Sequence, residues 1–181
     1  AAGHRYDSTG ITVKVQQVNR ECYWKGTNAM KIQLDAELVM ELRADCPEED
    51  RLVVGGNDWG YLKVIQIKGG HFEGEKLRGR VVPGGADWNM GVGGDTEESV
   101  HSRTVFAKYL LQTDDGVYIA IENLGYKYVD QEKNSLIQTR PSFHAPRGKY
   151  EWLNYGVYVG SLSGSTENGV RGVNIKIYKM L

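Results

Sequence analysis

The sequence predicts an all-β chain, a single antiparallel β-barrel of about 8–10 strands with an internal pocket. Three observations carry that prediction. Glycine is abundant, 23 residues against only four prolines, and it cuts the chain into short pieces separated by turn signals. From Met30 to Leu42 the apolar residues Met30, Ile32, Leu34, Ala36, Leu38, Met40 and Leu42 alternate with polar ones, Val39 being the exception, which is the period of a half-buried strand. No segment carries a 3.6-residue apolar stripe of helical length, and the best candidate, residues 130–137, is short and polar.

The same reading places strands at residues 11–18, 30–42, 61–67, 77–82, 104–112, 117–123, 150–161 and 173–178. Between two of them stands Thr113-Asp114-Asp115-Gly116, whose Asp-Gly pair supplies the positive φ of a tight hairpin turn. Sequential antiparallel strands with edges to hide favour closure into a barrel, with a β-sandwich as the alternative. At 181 residues the chain is read as one domain, with residues 1–29 an N-terminal extension or an extra strand.

Charge and composition exclude several classes of function. With 22 basic and 23 acidic residues the net charge is −1, so there is no field to gather nucleic-acid phosphates or an anionic membrane surface. Apolar runs are of strand length, short of the ~20 residues of a membrane helix. Cys22 and Cys46 form no CxxC, so two free thiols are expected rather than a disulfide scaffold, with their pairing left open. His4, His71, His101 and His144 are dispersed, and no metal site is expected. Gly91-Val92-Gly93-Gly94 lacks the Lys-Ser/Thr of a phosphate loop and reads as a mobile lip. A chain starting at Ala1 is expected to have lost a leader or tag; the compartment stays open, cytoplasm being favoured over secretion.

One internal echo stands out: Val53-Val54-Gly55-Gly56-Asn57-Asp58-Trp59 and Val81-Val82-Pro83-Gly84-Gly85-Ala86-Asp87-Trp88, read as a repeated Gly-rich corner or a chance likeness. The second copy lies in a longer pattern: Gly69-Gly70-His71-Phe72-Glu73-Gly74, Leu77-Arg78-Gly79, then Val82 to Trp88. Further along stand Leu111 to Gly116, Asn123 and Gly125, Pro141 and Phe143 before Ala145-Pro146, and Tyr150-Glu151-Trp152-Leu153-Asn154. Together, over roughly residues 34–178, these resemble the domain of unknown function 3237 family, the UPF0311-like small β-barrel proteins. The resemblance implies a barrel over residues 30–181, homodimerisation, and kinship with fungal secondary-metabolism members, one of which closes a ring without a cofactor by adding a hydroxyl across an olefin. The chain departs from the pattern in some thirty extra N-terminal residues and in His144, where an acidic residue is frequent.

Cofactor-free ring closure needs a hydrophobic cavity and a group that moves a proton. Asp87, after two glycines and before Trp88, is the first candidate acid or base; the alternative is an Asp bonded to its own turn amides. Arg140, before Pro141, is a candidate for holding a carboxylate, phenolate or enolate, or an ion pair with a structural acid. His144 offers a proton shuttle or a plain surface histidine. Alternation puts Tyr150, Trp152, Asn154 and Tyr158 on one strand face as ligand contacts, Asn154 being either a ligand partner or a core amide satisfied by backbone. Trp88, Asn123 and Phe143, from the family-like elements, join them. The expected function is a cofactor-independent cyclase or isomerase acting on a hydrophobic, oxygenated, polyketide-like molecule; the alternative is a non-catalytic carrier barrel.

Overall fold

The computed structural model describes residues 15–17, 30–32, 34–129 and 135–181. The chain divides into two units, Ala1–Glu37 with Met180–Leu181, and Leu38–Lys179. In the first, β1 (Val15–Gln17) pairs antiparallel with β2 (Met30–Ile32), Val15 opposite Ile32. The remainder of the predicted 11–18 strand, together with His4 and Cys22, lies outside the described residues.

The second unit holds all but the outer ends of β3 (Ala36–Asp45) and β12 (Val170–Met180), together with β4 (Arg51–Asn57), β5 (Gly60–Ile67), β6 (Gly69–Glu73), β7 (Arg78–Val92), β8 (Ser102–Thr113), β9 (Tyr118–Val129), β10 (Ser135–His144) and β11 (Tyr158–Glu167). Their order is β4-β5-β7-β6-β3-β12-β11-β10-β9-β8, and β8 also pairs with β7. The eight strands from β7 round to β8 therefore form a closed antiparallel barrel, with β4 and β5 extending from β7, so barrel and not sandwich is the architecture. The predicted hairpin joins β8 to β9: Gly116 takes φ +86°, and its N–H donates to the Thr113 carbonyl at 2.8 Å.

Two features of β7 correct the sequence reading. The strand does not end at Val82; it runs through Pro83-Gly84-Gly85 to Val92, and its register against β8 shifts between Val82 and Ala86. A bulge with Gly84 at φ +110° lets the strand bend without stopping. β4 carries the same device, a shift between Val53 and Gly55 with Gly55 at φ +104°. The internal echo is thus a repeated bulge and not a corner. Beside the β7 bulge, β8 crosses so closely that a Cβ on Gly85 would lie 2.3 Å from the Cβ of Tyr109. Gly85→Ala is expected to lower stability by about 1–3 kcal/mol through overpacking. Urea unfolding checks it; an unmoved midpoint would show that the two strands do not need this contact.

Along β3 the period-two reading holds only in part. Met40, Leu42 and Ala44 are buried as the pattern requires, but Leu34 and Leu38 are exposed and Val39 is buried on the other face. The predicted strand 150–161 is also replaced. Residues Glu151–Tyr155 form a 3-10 turn, and the strand begins only at Tyr158. That turn drives Leu153 into the barrel, where it packs with Tyr150, Tyr158, Phe72, Leu111, Ile119, Ile121 and Ile177. One half of the interior is therefore a solid apolar core; the other half, farther along the same strands, is hollow.

Candidate functional site

Alternation decides what lines the hollow half. On β8, Leu111 and Tyr109 face the core, and Tyr109, Ala107, Val105 and Arg103 continue the same face into a cavity of about 310 Å³. On β9 that face passes from Ile119 and Ile121 to Asn123, and on β7 it presents Asp87 and Asn89. The ladder aligns one layer: Asp87 is opposite Ala107, Ala107 opposite Asn123, and Asn123 opposite Pro141. Asp87 and Asn123 thus stand two strands apart, roughly 10 Å between backbones, with only the methyl of Ala107 between them. Volume and small central residue together leave room for a compact organic molecule.

Asp87 is held as a half-buried carboxylate inside a strand rather than as a turn Asp. Between the pairs Asp87–Ala107 and Met90–Thr104 the β7–β8 ladder has no bridging pair, and the Phe106 N–H donates instead to Asp87 Oδ1 at 2.7 Å. Asn89 Nδ2 donates to Oδ2 at 3.1 Å. Burial pushes the Asp87 pKa up, and the bonds from Asn89 and Phe106 and the charge of Lys63 offset this only in part. A chain of contacts leads outward: Arg103 donates to Asn89 Oδ1 at 3.2 Å, Arg103 pairs with Glu97 at 2.7 Å, and Lys63 pairs with the same Glu97 at 2.8 Å.

Glu97 comes from the loop between β7 and β8, which follows Gly91-Val92-Gly93-Gly94, the stretch read as a mobile lip; Gly91 and Val92 are instead the end of β7. Its conformation is tied by reciprocal bonds, Thr96 N–H to Ser99 Oγ at 3.0 Å and Ser99 N–H to Thr96 Oγ1 at 3.2 Å.

Elsewhere the cavity wall carries polar atoms with nothing to bond. Tyr109 Oη, Asn123 Oδ1 and Thr139 Oγ1 are buried and have no hydrogen-bond partner among the described residues. Their side chains are 4%, 2% and 6% exposed, and all three residues line the cavity. Folding leaves each such atom at a penalty of roughly 1–3 kcal/mol, so three in one cavity mark a surface that a ligand's polar atoms complete. Burial, with Cys46 and Asp87 nearby, raises the Tyr109 pKa, keeping its phenol a neutral donor. Cys46 also lines the cavity; its free thiol donates to the Ala44 carbonyl at 3.6 Å, and burial raises its pKa to about 11.

Of the residues singled out from sequence, the structure brings Asp87 and Asn123 into this cavity. Arg140 and His144 are exposed and Trp88 faces outward, half exposed, because each alternates with an inward neighbour. Tyr150, Trp152, Asn154, Tyr158 and Phe143 belong to the plugged end. Tyr150 donates its hydroxyl to Asp115 at 2.8 Å, and Phe143 meets Tyr158 edge to face at 5.0 Å. Trp152 is partly buried against the core, with Lys76 and Lys179 over its ring. Asn154 is satisfied by backbone: its Oδ1 accepts from the Ala145 N–H at 2.8 Å, and its Nδ2 donates to the Ala145 carbonyl at 2.9 Å. Asn154→Ala is expected to lose about 1–3 kcal/mol of stability without changing ligand affinity. Chemical denaturation beside a titration reads both; loss of affinity at unchanged stability would return Asn154 to the site.

Sequence reasoning passed over Tyr109, Thr139, Lys63, Arg103 and Glu97. Parity with Val105, Ala107 and Leu111 turns Arg103 and Tyr109 inward, but it says nothing of the partners either would find there.

Comparison with known proteins agrees with the architecture. A family model described as "Protein of unknown function (DUF3237)" matches residues 34–180. A UPF0311 protein of Rhodopseudomonas palustris is 30% identical over 128 residues, 64% of this chain and 80% of that protein. The crystal structure of a β-barrel-like protein from Acinetobacter baumannii superposes with a TM-score of 0.70 at 28% identity, covering 82% of this chain and 97% of that one. An enzyme from Penicillium herquei shares the fold, with a TM-score of 0.59 at 17% identity over 82% of this chain and 95% of that one.

Proposed function

This chain belongs to the DUF3237 family, and from its cavity we propose that it is a cofactor-independent acid–base enzyme, a cyclase or isomerase for a hydrophobic, oxygenated small molecule. The observation that carries this reading is a half-buried carboxylate of raised pKa that lines one cavity with three buried, unpartnered polar atoms. A pure carrier is served best by a wall whose polar groups satisfy one another or the ligand, and has no use for a carboxylate whose pKa burial raises. The enzyme of the same fold from Penicillium herquei is consistent with catalysis in such a barrel.

The reaction that suits these groups is addition of a substrate hydroxyl across an olefin. Asp87, as the acid, gives its proton to one olefinic carbon while the substrate hydroxyl oxygen bonds to the other with loss of the π bond. The hydroxyl proton then passes to the Asp87 carboxylate, so the enzyme ends as it began. Tyr109 Oη and Thr139 Oγ1 can donate to oxygens of the bound molecule, and Asn123 Oδ1 can accept from a hydroxyl. The apolar wall of Ile65, Val105, Leu162, Val173 and Ile175 folds the remainder against them.

The test is incubation of the pure protein with prenylated or allylated hydroxyaromatic compounds, with products followed by chromatography and mass. A cyclic isomer of unchanged mass is expected. Binding of such compounds with no isomerisation of any of them would favour the carrier reading instead.

A further inference from the structure

The cavity has a second layer nearer its mouth, and that layer is cationic. Its lining includes Arg51, Lys63, Arg103, Lys127 and Arg171, five positive side chains, against two carboxylates, Asp87 and Glu97, in a protein of net charge −1. Lys63 and Arg103 are 6% and 9% exposed. These two buried cations share one half-exposed carboxylate, Glu97. Arg51 and Arg171 likewise share Glu48. Buried charge is costly unless fully paired, so the mouth carries positive charge beyond what its own acids answer. Lys63 shows the crowding: burial lowers its pKa, and Arg103 and Arg51 act in the same direction against the pull of Glu97.

Resting on the cavity reading above, we infer that the natural ligand is an amphipathic acid, whose anionic group is held by Lys63 and Arg103 while its apolar, oxygenated body reaches Asp87 and Asn123. Register fixes the spacing. Lys63 is opposite Asn89, two residues beyond Asp87 on β7, and Arg103 is four residues beyond Ala107 on β8. At about 3.3 Å per residue the anion sits roughly 7–13 Å from the layer in which the proton moves. A neutral polyketide leaves the two buried cations sharing Glu97 as their one ion-pair partner, with the neutral Asn89 Oδ1 as the other acceptor of Arg103, whereas a ligand carboxylate supplies a second anion to both.

The experiment is calorimetric titration of the whole protein with 2-naphthoate and with 2-naphthamide, which share a shape and differ in charge. Naphthoate is expected to bind at least tenfold tighter, with affinity falling as salt rises. Glu97→Gln, a change on an exposed loop, removes the competing carboxylate and should tighten naphthoate severalfold while leaving naphthamide alone. Lys63→Met should do the reverse. Equal binding of the two compounds, or an unresponsive Glu97→Gln, overturns the anion while leaving the cavity as a ligand site. Failure of both to bind overturns the anion and the cavity reading together.

Discussion

Asp87→Asn should lower turnover by roughly 10²–10⁴-fold, the range general acid–base catalysis contributes, while ligand still binds. The amide keeps the volume of the carboxylate and can still accept from the Phe106 N–H, so the wall of the cavity retains its shape. What it cannot do is exchange a proton. Binding measured by calorimetry and turnover by product formation separate the two effects. Unchanged turnover would remove Asp87 from the reaction; loss of both would place it in binding alone.

Stability should respond in the opposite direction to activity. The folded pKa of Asp87 is raised above its unfolded value, chiefly by burial. Its contribution is therefore fully present below the unfolded pKa and is lost as pH rises through the folded one. Above the unfolded pKa the burial of an ionisable carboxylate opposes folding, and the neutral amide carries no such cost. The groups facing Asp87 are Lys63 from β5, Asn89 on its own strand, the Phe106 amide and Tyr109 from β8, and Cys46 beyond β3. Lys63 alone among them is cationic, and its charge offsets the effect of burial without cancelling it. Asp87→Asn should thus melt at or above wild type at pH 8, with the advantage shrinking on acidification. A variant less stable at pH 8 than at pH 5, relative to wild type, would show that the carboxylate is stabilised as an anion.

How far the sequence revealed this site follows from which physical signal each residue carried. Strand alternation and the Asp-Gly turn are local, and they led to an all-β barrel and its central hairpin. Asp87 was legible because a carboxylate between a Gly-rich bulge and a Trp is chemically conspicuous. Tyr109 and Thr139 were not, since a lone hydroxyl in an apolar strand looks like any other core residue until its partners are counted in space. Arg103, Lys63 and Glu97 meet across three chain segments, a non-local arrangement that no spacing in one segment encodes. Tyr150 to Asn154 misled for a physical reason too. The alternation of aromatic and polar residues there fits a strand, yet two reciprocal hydrogen bonds between Asn154 and Ala145 and burial of Leu153 hold it as a turn that stops the barrel.

Tyr109→Phe should raise stability and weaken binding, a pairing of signs that a core tyrosine would not give. The Tyr109 hydroxyl is buried with no partner among the described residues, so removing it should relieve about 1–3 kcal/mol of desolvation penalty. For a chain of this length that corresponds to a rise in melting temperature of about 2–4 °C per kcal/mol. The ring remains, and with it the packing against the core. Thr139→Val is the independent check on a second strand, since its hydroxyl is also unpartnered and Gly160 beside it has no side chain to crowd the new methyl. If the wall is built for a ligand, both variants become more stable and bind an oxygenated aromatic compound less tightly, since a donor the ligand would have engaged is gone. A fall in stability would mean that these hydroxyls already find partners in the free protein, and the cavity would then lose the feature that distinguishes a binding wall from a packing defect.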